Sequence, residues 1–140
     1  MNDLTLPRVD TLQATKDLQA YMATMPQFDF PVRHSFSEGV YLREMFMPAD
    51  TGVVGKRHRH RHAFVLMFGD ISIMANGEVL RIQGPHVIDS EPGAKRAIYA
   101  HAPSAMMTVH LTNETNLEKI ESQVIMPDDD ELLAIEGEAK

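Results

Sequence analysis

The stretch Gly52-Val-Val-Gly-Lys-Arg-His-Arg-His-Arg-His-Ala-Phe-Val-Leu-Met-Phe-Gly69 decides how the chain is read. Within it His58, His60 and His62 alternate with Arg57, Arg59 and Arg61. Successive side chains of a β-strand point to opposite faces, so an extended reading puts three imidazoles on one face and three guanidiniums on the other. A helix would scatter both sets. The run then turns continuously apolar from Ala63 to Phe68 and stops at Gly69-Asp70, as a strand does when it enters a covered core and ends at a turn. The stretch is expected to be the central strand of an all-β domain, with its polar cluster at one mouth of the core.

On either side of it lie further strand signals. Val40 to Met47 reads as a strand ended by Pro48-Ala-Asp-Thr-Gly52. Asp70 to Ala75 and Glu78 to Ile82 flank Asn76-Gly77, a strong hairpin signal. His86 to Ser90, Ala97 to Ala100 and Ala105 to Leu111 follow. About seven short strands at roughly ten-residue spacing mean a sandwich or a barrel. Before them, Asp10-Thr-Leu-Gln13 has the form of a capping box, and Leu12, Leu18, Tyr21, Met22 and Met25 fall mostly on one helical side up to Pro26. A helix over 10–24 is expected, packed on its own barrel or on a neighbouring subunit. After the strands, a short helix is expected within 112–121 and another over 127–135, with Asp128 as its N-cap. The apolar Gln123-Val-Ile-Met126 should pack on something. The chain divides into an N-terminal helical arm (1–26), a β-barrel (27–112) and a helical, acidic C-terminal tail (113–140).

Composition narrows the function. A chain of 140 residues fits one domain, and the absence of cysteine rules out disulfides and thiolate metal ligands. No apolar run approaches the ~20 residues of a membrane span, and MNDLTLPRVD shows no secretory signal. The net charge of −7, with no aromatics interleaved among the bases, argues against nucleic-acid binding. Six acids in 127–140 oppose four bases between Lys56 and Arg61, a pattern that suits self-association or docking as well as plain solvated surface.

Gly52, His58-x-His60 and the later Pro92-Gly93-Ala-Lys-Arg96 resemble the two motifs of the cupins, small jelly-roll barrels. Arg96 stands where the second motif has its ligand histidine, and the first motif's glutamate is missing, since 64 and 65 are Phe and Val. Arg43-Glu-Met-Phe-Met-Pro48, Gly55-Lys-Arg-His58 with His62, Gly69-Asp-Ile-Ser72, Pro92 to His101 and Thr108-Val-His110 through Glu121 resemble more closely a group of small cupin-like proteins of tailed bacteriophages and prophages. That resemblance covers residues 40–122. In that group Arg at the position of Arg96 is usual. It implies an all-β fold, a single cupin double-stranded β-helix (jelly roll) with short helical appendages at both ends.

The histidines suggest a metal. Two His at i and i+2 on a strand stand ~7 Å apart, close enough to share an ion, whereas His58 and His62 need a bulge to converge. The candidate ligands are His58, His60 and His62, with a further one from His101 or His110; spacing does not choose among these and His86. The ion would be a divalent transition metal (Zn, Ni, Fe or Mn), or there is none and the imidazoles are hydrogen-bonded polar groups at the barrel mouth. Arg96 argues against a cation and for a carboxylate or phosphate, and Glu44 or Glu91 is available as a recruited carboxylate. Arg57, Arg59 and Arg61 form either a solvent face or a docking stripe. Two readings follow. The first is a non-enzymatic phage structural or accessory protein, in the virion or host cytoplasm, acting through homo-oligomers and contacts with other virion proteins. The second is a metal-dependent cupin enzyme or small-ligand binder that uses the His cluster.

Overall fold

A computed structural model describes residues 11–75 and 78–126. Its strands are β1 (Val32–Ser37), β2 (Val40–Met47), β3 (Thr51–Val54), β4 (Arg57–His58), β5 (His62–Phe68), β6 (Asp70–Ala75), β7 (Glu78–Gln83), β8 (His86–Ser90), β9 (Ala97–Ala100), β10 (Ser104–Leu111) and β11 (Ile125–Met126). Its helices are α1 (Thr11–Met22) and α2 (Leu117–Val124). Antiparallel pairing builds a larger sheet, β1-β2-β10-β5-β8, and a smaller one, β3-β9-β6-β7, while β4 and β11 form a separate ribbon.

The expected central strand is not one strand. Val53 and Val54 pair with Ile98 and Ala97 in the smaller sheet, whereas Ala63 to Phe68 lie against β10 in the larger. Between the two the chain has to cross from sheet to sheet, and it bends at Arg59-His60 to do so. Strict alternation therefore fails through the His/Arg run. Strand β1 is not evident in the sequence pattern, because an edge strand with the polar sequence Val-Arg-His-Ser-Phe-Ser carries little apolar alternation. The Asn76-Gly77 turn lies outside the described residues, but Ala75 faces Glu78 in the antiparallel β6–β7 pair around it.

Between the sheets Met47, Phe64, Leu66, Ile71, Ile73, Ile98, Ala100 and Met106 form the core. β5 shows why the apolar run folds this way: Phe64 and Leu66 are buried inward, and Ala63, Val65 and Met67 on the other face are half covered. Each fully buried aliphatic side chain contributes ~1.5–3 kcal/mol. Gly69 carries the chain from β5 into β6 at φ 109°, and a Cβ there would lie 2.6 Å from the backbone Cα of Ser104. No other residue fits that crossing.

The helices behave differently. α1 lies along β3, with Thr15 buried and Met22 against Gly52, yet it leaves Tyr21 in solvent. α2 starts at Asn116, whose side chain accepts from the Lys119 amide, and buries Ile120 and Val124 on Tyr41. It is thus part of the barrel's wall, and Val124-Ile125 packs on this same chain. The helix expected over 127–135 lies outside the described residues.

Leu66, with no exposed surface, and Val87, 65% exposed, give a direct test of this packing. Leu66→Ala should cost ~2–5 kcal/mol in urea denaturation, and Val87→Ala under ~0.5 kcal/mol.

Candidate functional site

The sheet crossing that breaks the alternation also builds the site. Arg57 is fully buried; its Nε donates to the Gly93 carbonyl at 3.0 Å, and the Gly93 amide donates back to the His58 carbonyl at 2.8 Å. The Arg59 amide donates to the Val124 carbonyl at 2.7 Å, and Ile125 pairs with His58. Held in this way, the chain brings His58 and His62 together across the bend, their ring centroids 4.3 Å apart. His110 of β10 stacks on both, at 5.3 Å from His58 and 5.1 Å from His62. Tyr41 of β2 extends the stack to His110, and its hydroxyl meets His34 Nδ1 at 2.7 Å.

The expected ligand set is therefore rearranged. His58 and His62 come together, and His110 joins them. His60 is exposed at the bend and points elsewhere than the cluster, because the residue pair there is not extended. His101 hydrogen-bonds Ser72 Oγ at 2.6 Å and packs edge-on against Tyr99, on the smaller sheet. His86 is exposed. Neither carboxylate joins the cluster: Glu44 pairs with Arg33, and Glu91 is exposed and does not line the cavity.

The guanidinium stripe does not exist as one surface. Arg57 is a buried tie between two loops, Arg61 pairs with Asp89 through Nε at 2.8 Å, and Arg59 is exposed. Alternation predicted one face for all three, but the bend at Arg59-His60 turns Arg57 inward. Lys56, at the start of the run, pairs with Glu121 of α2.

His58 and His62 open onto a cavity of about 440 Å³. Met45, Val53, Phe64, Ile98 and Met106 give it apolar walls, α2 and Ile125 cover one side, and Arg43 and Arg96 are its guanidiniums. Arg96 lies half-buried over the Phe64 ring, 4.9 Å from its centroid. Arg43 is exposed yet lines the cavity, on the same face of β2 as Tyr41 and Met45, and that two-residue alternation is the sequence signal for it.

Electrostatics follow from burial. Desolvation, with neighbouring positive charge from the other histidines, Arg96 and Arg43, lowers His58 to about 3. His110 falls to about 4 for the same reasons, with desolvation largest and His62 and Arg43 adding to it. Burial also lowers His62, against its bond to the His60 carbonyl. All three imidazoles are neutral near pH 7. His62 Nδ1 lies 3.2 Å from the His60 carbonyl, so Nδ1 carries the proton and Nε2 the lone pair. That Nε2 is buried, with no hydrogen-bond partner among the described residues.

No protein-family model matches this chain, and no curated protein matches it by sequence. Solved structures do. A cupin superfamily protein from Desulfitobacterium hafniense is similar at a TM-score of 0.52 and 11% identity, over 63% of this chain and 82% of its own. A predicted oxalate decarboxylase from Thermotoga maritima gives 0.52 and 14%, over 61% and 84%. A cupin family protein with a double-stranded β-helix fold from Methanocaldococcus jannaschii gives 0.50 and 11%, over 62% and 84%. The fold is the all-β cupin jelly roll with short helices. None of these likenesses shows a phage origin.

The neutral histidines make stability depend on pH. Unfolded imidazoles titrate near ~6.5, but folded His58 and His110 only at about 3 and about 4. The unfolded chain therefore takes up protons first. Stability is full above pH ~6.5 and falls as the pH drops towards the folded values, by up to ~1.4 kcal/mol per pH unit for each residue. Urea melts of the metal-free protein at pH 7.5 and 5.5 should show this loss, and His110→Gln should reduce it. An unchanged loss in the variant would contradict the assignment.

Proposed function

We propose that this chain is a ligand-binding cupin in which His58, His62 and His110 hold one divalent transition metal beside the cavity. The observation that carries this reading is the buried, unpartnered Nε2 of His62 within a cluster of three neutral imidazoles. Neutral imidazole is the ligating form, and a backbone carbonyl on Nδ1 is the usual device that presents Nε2 to an ion.

The residues fit an ion in chemistry, since neutral imidazoles are nitrogen donors for such metals. Two imidazoles on one tetrahedral ion have ring centroids roughly 5 Å apart, from a metal–nitrogen distance of ~2.1 Å. The two His110 spacings, 5.3 and 5.1 Å, meet that, and the His58–His62 spacing of 4.3 Å is short. Among the described residues no three His, Asp or Glu side chains are already arranged as a ligand set. The rings would have to move to make one, and His110 Nε2 already meets Thr108 Oγ1 at 2.9 Å. When bound, the ion supplies Lewis acidity to an oxygen of the ligand.

Binding is better supported than catalysis. Among the described residues the one carboxylate lining the cavity is Glu121, and it is paired with Lys56. A hydrolytic or redox site ordinarily wants an acid or base near the ion.

Metal analysis of protein purified without a histidine tag tests the reading. After equilibration with Zn, Ni, Fe or Mn in turn, one of them should remain at about one per chain. His110→Ala should lose it, and His60→Ala should keep it. Wild type that retains none of the four would overturn the proposal.

Homo-oligomerisation, one part of the virion-protein reading, has a separate observation behind it. Tyr21, Met25 and Phe28, at the end of α1 and just after it, are 66%, 49% and 52% exposed, large apolar side chains that suit contact with a second copy. If they form such a contact, replacing all three by Ser should convert an oligomer to monomer in light scattering without loss of β-sheet circular dichroism. A wild-type monomer at micromolar concentration would remove this reading.

A further inference from the structure

Every positive charge that lines the cavity has a partner except two. Lys56 is matched by Glu121. Arg96 is half-buried in the wall and forms no ion pair or hydrogen bond with its side chain among the described residues; it lies over the face of Phe64 and also borders a smaller cavity lined by Glu78, Asp89 and Glu91, none of which pairs with it. Arg43, which lines the cavity but is itself exposed, also has no acidic partner among the described residues. Buried charges in proteins are ordinarily paired, because removing a guanidinium from water without a counter-ion is costly, and this applies to Arg96, the half-buried one of the two. Both guanidiniums also act on the histidines, Arg96 and Arg43 together on His58. The three imidazoles are neutral and supply no negative charge. A divalent ion on them would add to the imbalance.

Strand register shows how the groups are ordered. Tyr41 faces His110, and Val109 faces Ala63, which places His62 beside His110 in one row across the larger sheet. Arg43 faces Thr108, and Thr108 faces Phe64, in the next row, with Arg96 above Phe64. The guanidiniums thus flank the row next to the imidazoles. Beyond them the walls are apolar side chains, in a volume that suits a small organic molecule.

We propose that the cavity takes a small organic acid with an apolar body, its carboxylate held by Arg96 and Arg43 beside the His58/His62/His110 cluster. The proposal deepens the ligand-binding reading and rests on it. A carboxylate matches the planar fork of a guanidinium and needs only a few donors. A phosphate, with more oxygens to satisfy, would find no glycine-rich backbone cradle among these residues. The apolar walls select for a hydrocarbon tail over a sugar.

The test is calorimetric titration of the full-length protein with benzoate and hexanoate, each against its neutral amide, both in EDTA and after metal reloading. At least one acid should bind and its amide should not. Arg96→Gln should weaken that acid at least tenfold with metal content unchanged. Arg43→Gln should weaken it to a lesser degree, and Arg59→Gln, an exposed guanidinium away from the cavity, should have no effect. Circular dichroism establishes that each variant is folded, and if Arg96→Gln is not, Arg96→Lys replaces it and should still weaken the acid by loss of the fork. Failure of both acids to bind, equal binding of acid and amide, or an unaltered affinity in the Arg96 variant overturns the proposal. Acid binding by a protein that retains none of the four metals after reloading removes the metal site and leaves the acid site standing. Stoichiometric metal without discrimination between acid and amide does the reverse.

Discussion

The structure depends on one crossing. Between Val54 in the smaller sheet and His62 in the larger, the chain has to pass over the open end of the barrel, where neither sheet offers it a full set of backbone partners. An unpaired backbone there would be costly. Three contacts meet the need: Arg57 Nε on the Gly93 carbonyl, the Gly93 amide on the His58 carbonyl, and the Arg59 amide on the Val124 carbonyl. They come from the first histidine motif, the Pro92-Gly93 loop and the C-terminal segment. Remote parts of the chain are thereby tied to the same few residues, and the histidines are presented to the cavity as a consequence.

The cavity's chemistry follows from where those ties leave charge. Buried Arg57 is used to hold the loops, Arg61 is neutralised by Asp89 at the surface, and Lys56 by Glu121. What remains along the cavity is cationic or neutral: Arg96 over Phe64, Arg43 at the mouth, and imidazoles that burial keeps deprotonated. Low dielectric magnifies the imbalance, because the same charges would be screened at a solvated surface. An acidic ligand and an imidazole-bound ion are complementary in such a place, since the anion offsets both guanidiniums and metal.

The helical ends illustrate two uses of an amphipathic segment. α2 is short, but Ile120 and Val124 are buried on Tyr41, so it closes the barrel and walls the cavity. α1 has a similar supply of apolar residues and buries less of them, leaving Tyr21 and Met25 in solvent. α1 was legible from capping and periodicity, and a short helix near α2 was expected within 112–121. Their roles were not legible, because periodicity gives the direction of an apolar face and says nothing of what covers it.

Alternation in β2, β5, β6 and β10, together with the Gly69-Asp70 and Asn76-Gly77 signals, was enough to read an all-β barrel from the residues alone, because strand period and turn chemistry are local properties. The His/Arg run and Arg96 stood out in the sequence for the same reason: polar and charged side chains beside a core are conspicuous in one dimension. Local pattern failed where the chain changed sheets. It assigned His60 to the cluster and Arg57 to a surface stripe, since a two-residue period holds only while the backbone stays extended. The choice of His110 over His101 and His86, the place of Arg43 along the cavity, and the covering of the cavity by α2 were decided by tertiary structure. Each depends on which strands lie side by side, and the register of Val109 against Ala63 or Arg43 against Thr108 joins residues more than forty positions apart.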